Sequence, residues 1–333
     1  MTITTFLNSL PGELESQARP AYTVRTAAYA LQPQPPVEPI VEGLINRGDL
    51  VMVYGHPGSK KTYAAISQAI CVAMEKDWLT FKTHKTKILF IDEESGERRF
   101  CRRLSLAIRG ELGDETIPFE FVSLAGFKLD DPNDAMLVKA LIEETGAGLV
   151  FIDALADIMD GDENAKKDTQ PVFAALRKIA DQTNAAIVII HHSNKAGDYR
   201  GSSAIKGAVD LMIEVKSDDG SRFVQFKTTK ERDIERISWA AEAVWTEDQF
   251  YLSATENQEK PFYSKSESYV IRFLQEHQTA GIDEIMDHAD TCTSNAARAA
   301  VYTLTNKGLL ERTDSGGRGQ KAIYAFTDKG CKL

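Results

Sequence analysis

The chain's 333 residues exceed one average domain, and 43% hydrophobic with 26% charged residues is an ordinary globular balance. No apolar run approaches the roughly 20 residues of a membrane-crossing helix, so no membrane partner is expected and the chain reads as soluble. A formal net charge of −10 argues against a generally basic nucleic-acid coat. Contact with phosphate backbones then has to be local, as in a ring with a positive channel and an acidic exterior.

The first 20 residues lack the basic start and apolar run of a secretory signal, which predicts a cytoplasmic protein. Cys71, Cys101, Cys292 and Cys331 have no C-x-x-C spacing, so reduced thiols are expected and no structural metal. Residues 1–40 read as an arm or linker ending in the proline-rich "LQPQPPVEP". From Gly48 onward, short apolar runs ("LVMVYG", "KILFID", "GLVFID", "AAIVIIHH") alternate with amphipathic helical stretches such as "RRFCRRLSLAIRGEL" and "PVFAALRKIADQT". Strands this apolar are buried on both faces, which predicts an α/β domain over 41–253 with a mostly parallel sheet flanked by helices. After His192 the strands follow one another without helices ("VDLMIEVKS", "RFVQFKTTK", "RISWAAEAVW", "QFYLSA"), an antiparallel extension with "SDDGS" as a hairpin turn. Residues 254–265 form a polar linker, and 266–333 read as three short helices and a two-stranded ribbon, the winged-helix arrangement.

The stretch "VMVYGHPGSKKTYAA" departs at one place from the phosphate-loop pattern G-x-x-x-x-G-K-[ST]: Lys60 stands where the second glycine belongs. A buried strand, a glycine-bearing loop and a helix in succession are still the context that aims backbone N–H groups at phosphate oxygens. Register from Gly55 makes Lys61 the phosphate lysine, with Thr62 suited to Mg²⁺, and Gly55, His56, Pro57, Gly58, Ser59, Lys60 and Tyr63 complete the nucleotide-binding set. Lys60 is expected to point to solvent or a neighbouring subunit, with about 1–2 kcal/mol of strain if its position requires positive φ. Two strands end in aspartate, and Asp153 on the later one is the candidate Mg²⁺ support. No glutamate follows it, so the base that activates water is sought in "IDEES". There Glu94 is chosen and Glu93 kept as the alternative, since neighbours on a strand face opposite ways.

These pieces resemble the RecA/DnaB-type P-loop ATPases, in the RepA-like branch of small hexameric replicative helicases. The similarity rests on "GHPGSKKT", "ILFIDEES", "LVFIDALADIMDGDEN", "IVIIHHSNKAGDYRGSSAIKGAVD" and "KTTKERD", in that order over about residues 40–252. The resemblance implies a RecA-like core that hydrolyses ATP with Mg²⁺, with Glu94 as catalytic carboxylate and Asp153 as Walker B aspartate. It also implies His192, with His191 beside it, as γ-phosphate sensor, and Lys230 and Arg232 as a K-x-R element reaching the next subunit's site. The homo-oligomer so implied is a ring of six. Two loops resemble the family's DNA loops: "ADIMDGDENAKKD", which is acidic, and "KAGDYRGSSAIKG", which offers Lys195, Arg200, Ser202, Ser203 and Lys206 to phosphates.

In the C-terminal module "TSNAARAAVYTLTNKG" is the candidate recognition helix, with Arg298 on it and Arg312, Arg318 and Lys321 on the wing. Its charges roughly cancel, and protein contact is the alternative use of the same surface. The sequence reading is therefore an ATP-hydrolysing oligomeric DNA motor, a replicative helicase of a plasmid, phage or similar element. The alternative is an ATP-regulated DNA-binding regulator or loader without unwinding activity.

Overall fold

Successive residues of the apolar strands enter two different cores. Val51, Phe90, Phe151 and Val188 belong to one cluster, while Met52, Leu89, Ile152 and Ile189 belong to the other. This period-2 alternation needs a sheet covered on both faces, and helices supply both covers. The computed structural model describes residues 25–33, 35–193, 203–218, 220–232, 234–255, 265–289, 291–313, 322–328 and 330. The chain divides into two units, Met1–Val37 and Glu38–Leu333.

In the first unit the described residues include a one-turn helix α1 (Ala27–Ala30), capped by Thr26, whose hydroxyl accepts from Tyr29 N at 3.2 Å. Sequence reading gave only an extended arm here. The second unit begins with β1 (Pro39–Val41) and β2 (Ile45–Asn46), an antiparallel pair whose Ile40 is only 1% exposed within the first core cluster. The expected domain start at 41 therefore falls inside β1. Consecutive burial of Ile40 and Val41 places β1 with the domain, and a strand this short carries no readable period in sequence.

Then follow β3 (Leu50–Gly55), α2 (Lys61–Met74), β4 (Ile88–Asp92), α3 (Glu97–Gly110), β5 (Phe119–Ser123), α4 (Pro132–Thr145) and β6 (Leu149–Asp153). A 3₁₀ turn (Leu155–Ile158) precedes α5 (Lys166–Thr183), β7 (Ala186–His192) and α6 (Ser203–Ala208). Four more strands complete the series: β8 (Leu211–Lys216), β9 (Phe223–Lys230), β10 (Ser238–Trp245) and β11 (Phe250–Ala254). Among the described residues nine of these strands form one sheet, in the order β11-β10-β9-β8-β3-β7-β6-β4-β5. The pairs from β8 through β5 are parallel, and the pairs outward from β8 to β11 are antiparallel. Helices α2 and α3 pack on one face through Ile66, Ile70, Phe100 and Leu104; α4 and α5 pack on the other through Val138, Ile142, Phe173 and Leu176.

Parallel pairing fixes the site. Gly55 lies level with His192, and Asp92 with Asp153, so the carboxyl ends of β3, β4, β6 and β7 converge on one edge. Ligands of open α/β sheets bind along such an edge.

The chain closes with α7 (Lys265–His277), β12 (Thr279–Gly281), α8 (Ile282–Asp287), α9 (Ser294–Asn306), β13 (Leu310–Arg312) and β14 (Ile323–Phe326). They enclose a third cluster around Val270, Leu274, Ile285, Val301 and Leu304, with a three-stranded antiparallel sheet β12-β14-β13. The ribbon read from sequence thus gains a third strand, β12. Thr293 caps α9, its hydroxyl accepting from Ala296 N at 3.3 Å. No helix among the described residues is long and apolar enough to cross a membrane.

Candidate active site

The loop between β3 and α2 is shaped by two backbone constraints. A Cβ at Gly55 would lie 2.1 Å from the Val215 carbonyl oxygen, so only glycine lets β3 pass that close to β8. Gly58 has φ 83° and Lys60 φ 69°, ψ 20°; the loop thus turns twice through the left-handed region, and the second turn falls on a lysine. Ser59 N donates to His56 O at 3.0 Å, closing the turn, and Ser59 is itself buried. His56 is exposed, with Nδ1 2.8 Å from Pro57 O.

Of the two outcomes expected for Lys60, solvent or a neighbouring subunit, free projection into solvent is not what the structure shows. The Lys60 ammonium donates to Ser217 Oγ at 2.6 Å and lies 5.9 Å from the Trp245 ring centroid, so the side chain reaches the β8–β9 and β10–β11 ends beside the loop. Leaving a left-handed residue, the side chain is carried toward the extension strands, which sequence gave no means of placing there. Tyr63 packs in the same group, 4.5 Å from Phe250 and 5.7 Å from Trp245 between ring centroids, with Arg103 over its face at 5.6 Å.

Lys61 is the lysine turned into the loop. It is 5% exposed, and its ammonium donates to Gly55 O at 2.9 Å and His56 O at 3.0 Å. An ammonium has three donors, so one remains for a phosphate oxygen. Burial holds its pKa down at about 8 against the pull of Asp153 and Glu94. Thr62 donates from Oγ1 to Asp153 Oδ2 at 2.7 Å. Asp153 is fully buried, and burial pushes its carboxyl up to about 6, opposed by the Thr62 bond. Its other oxygen, Oδ1, is buried without a hydrogen-bond partner among the described residues. A carboxylate oxygen left open beside a hydroxyl is a donor set that fits a hard divalent cation retaining most of its water, as magnesium does.

The two glutamates after β4 separate as strand alternation requires. Glu93 turns inward, its Oε1 accepting from Ala125 N at 3.1 Å and Oε2 from Gly126 N at 2.9 Å; burial raises its pKa while those bonds oppose the rise. Glu94 turns toward the loop edge, with Oε2 3.7 Å from His192 Nε2. His192, then Lys61 and Arg103, keep Glu94 below the ordinary carboxylate range, so it is ionised at neutral pH. His192 Nδ1 has no partner among the described residues. His191 is buried, its Nδ1 3.8 Å from Glu163 of the acidic loop after β6. The structure thus brings together Lys61, Thr62, Asp153, Glu94 and His192.

Sequence reasoning gave Asp92 no task. Its Oδ1 accepts from Ser95 N at 3.0 Å, and its Oδ2 from Gly96 N at 3.0 Å and Ser123 Oγ at 2.8 Å, tying the start of α3 to β5. An aspartate a few residues before a glycine was the available signal. Lys230 and Arg232 stand elsewhere. Lys230 is level with Met212, and through β8 with Met52, near the amino end of β3. From Met52 to Gly55 is about 10 Å at the usual strand rise. Lys230 donates to Val209 O, and burial followed by the Arg232 charge lowers its pKa. Lys206 lies on α6, and Arg298 on α9 has Nε 3.1 Å from Met286 Sδ. Lys195, Arg200, Ser202, Arg318 and Lys321 lie outside the described residues, as does the side chain of Ser203.

This sheet order and the loop between β3 and α2 give the chain the fold of a RecA/DnaB-type P-loop core. A family model described as AAA domain (AAA_25) matches residues 15–198, more than half of the chain, and the chain belongs to that family. Among solved structures, one described as a DnaB-like replicative helicase and its interactions with primase aligns with TM-score 0.51 at 14% identity, covering 67% of this chain and 65% of that one. Another, described as an ATPase domain, aligns with TM-score 0.47 at 15% identity, covering 63% of this chain and 86% of that one. At these identities the likeness concerns the fold. No curated protein sequence matches the chain.

Proposed function

We propose that the protein is an ATP-hydrolysing, oligomeric DNA motor of the replicative-helicase type, belonging to a plasmid, phage or similar element. The observation that supports this most is the convergence of Lys61, Thr62, Asp153, Glu94 and His192 at one sheet edge, while the Lys230 and Arg232 side chains are held on residues 207–210 beside Leu50, at the opposite end of β3 from their own loop. The first group contains what phosphoryl transfer to water requires. The second serves a neighbour's site.

In this reading the loop N–H groups and the amino end of α2 bind the phosphates of ATP. Lys61, anchored on two loop carbonyls, turns its third N–H toward the β- and γ-phosphates. Thr62 Oγ1 and Asp153 would hold magnesium, which would neutralise phosphate charge during transfer. Glu94, kept ionised beside His192, orients the attacking water and accepts its proton. His192 senses the γ-phosphate side of the site, a reading supported by its position at the end of β7, 3.7 Å from Glu94. Lys230 and Arg232 of the adjacent subunit supply positive charge as the transferred group leaves, which can raise turnover by on the order of 10³ or more. The oligomer is a ring of six in which Lys195, Arg200, Ser202, Ser203 and Lys206 face single-stranded DNA.

The helix-strand-helix-helix-strand-strand order of α7 through β14 supports a winged-helix module, with α9 and Arg298 toward duplex DNA or a protein partner. The test is ATPase rate with and without single-stranded DNA, together with unwinding of a forked duplex. Stimulation by single strands with unwinding supports the motor; duplex binding without unwinding transfers the assignment to an ATP-regulated loader.

A further inference from the structure

We infer that Asp210 is a positioning residue that fixes Arg232 and ties it to the first residue of the strand ending in the phosphate loop. The inference rests on the proposed action of Arg232 on a neighbouring subunit's nucleotide.

Asp210 lies between α6 and β8, and its side chain is 15% exposed. Its Oδ1 receives Arg232 Nη1 at 3.0 Å. Its Oδ2 receives Leu50 N at 2.9 Å and Arg177 Nη2 at 2.7 Å. The backbone repeats the link to β3, Asp210 N donating to Leu50 O at 2.7 Å. Arg232 has a second anchor, Nη2 to Gly207 O at 2.8 Å, so a half-exposed guanidinium on a long stem is held at two points on one short segment. Arg177 donates also to Ala208 O at 2.9 Å, and Lys230 to Val209 O. All three cations are thereby organised on residues 207–210.

Carboxylate geometry explains why an acid is needed. One oxygen is used by Leu50 N and Arg177, and the other faces the Arg232 guanidinium in an ion pair, while the hydrogen bond from Nη2 to Gly207 O orients the same group. An amide would still accept from Leu50 N but would turn an NH₂ toward a guanidinium. Asp210 is thus the one side chain among the described residues that bonds both the start of β3 and Arg232.

The experiment compares steady-state ATPase of the full-length chain with Asp210→Asn, Asp210→Glu, Arg232→Ala and the double variant Asp210→Asn with Arg232→Ala. Asp210→Asn is expected to lower kcat on the order of a hundredfold while leaving KM for ATP unchanged, because misplacement of about 1 Å at a transition-state group has that effect. The double variant should be no slower than Arg232→Ala alone, and Asp210→Glu, which keeps the charge, should fall between wild type and Asp210→Asn. If Asp210→Asn does not fold, Asp210→Glu carries the comparison, with reduced kcat at unchanged KM. Loss of turnover in Arg232→Ala with full kcat in the Asp210 variants overturns this inference and leaves the trans reading standing. Equal further loss in the double variant also overturns it, since the two residues would then act separately. Full turnover in Arg232→Ala removes the trans reading and this inference with it.

Discussion

Replacing Lys60 separates a backbone effect from a side-chain effect, because the residue is strained and well connected at once. A non-glycine residue at φ 69°, ψ 20° costs about 1–2 kcal/mol relative to glycine. Against this stand the Lys60 to Ser217 hydrogen bond at 2.6 Å, worth about 1 kcal/mol net, and the contact with the half-exposed Trp245 ring, worth about 0.5 kcal/mol. Lys60→Ala keeps the strain and loses both contacts, so it should destabilise by about 1.5 kcal/mol. Lys60→Gly loses the same contacts but relieves the strain, and the greater freedom of glycine in the unfolded chain returns about 0.4–1 kcal/mol of the relief. Lys60→Gly should therefore be more stable than Lys60→Ala by about 1 kcal/mol and close to wild type. Urea midpoints of the three proteins measure the order, and ATP turnover of Lys60→Gly should be intact or improved. An alanine variant as stable as the glycine variant would refute the backbone reasoning. Loss of turnover in Lys60→Gly would mean that Lys60 touches phosphate.

Glu94→Gln should keep ATP affinity and lower kcat by on the order of 10²–10⁴. Glu93→Gln should spare kcat and lower stability by about 1–2 kcal/mol through its bonds to Ala125 and Gly126; the opposite pattern would make Glu93 the base. Lys230→Ala and Arg232→Ala should each bind ATP normally and lose turnover, and mixing either with Lys61→Ala subunits should restore part of it; unaffected turnover removes the trans assignment. Asp153 holds its proton to about pH 6 in the folded chain and to its usual 3.8 when unfolded. Its contribution is thus fully present below pH 3.8 and lost as pH rises through 6. In metal-free buffer at pH 8, Asp153→Asn should consequently be the more stable protein by up to about 3 kcal/mol while inactive in hydrolysis; a urea midpoint no higher than wild type would contradict this.

Much of the core was legible because burial on both faces leaves an unbroken apolar run, as in "GLVFID", and because parallel strands put their last residues on one edge. The same logic separated Glu93 from Glu94, since alternation is a local rule. Less was legible where the determining partner is distant in sequence. Trp245 and Ser217 could not be joined to Lys60, being separated from it by more than 150 residues and set beside it only by the pairing of β8 with β3. Asp210 reads as an ordinary acid after a short helix until the register places it against Leu50. Strand β12 has three residues, and β1 and β2 have three and two, too few to display a period, and α1 is a single turn.

Lys60 and Asp210 meet the same strand from opposite ends. Asp210 immediately precedes β8 and bonds the start of β3 and Arg232; Ser217 immediately follows β8, receives Lys60, and donates onward to Phe223 O at 2.7 Å. Between them β8 lies in register with β3 from Val51 to Tyr54 and approaches Gly55 so closely that no Cβ would fit. A glycine in place of Lys60 would leave the loop joined to β8 through backbone alone, whereas the lysine adds a charged tether at the phosphate end to match the one at the Arg232 end. On the trans reading, β8 is the stiff element through which a subunit's phosphate loop and the cation it lends its neighbour are held at a fixed separation.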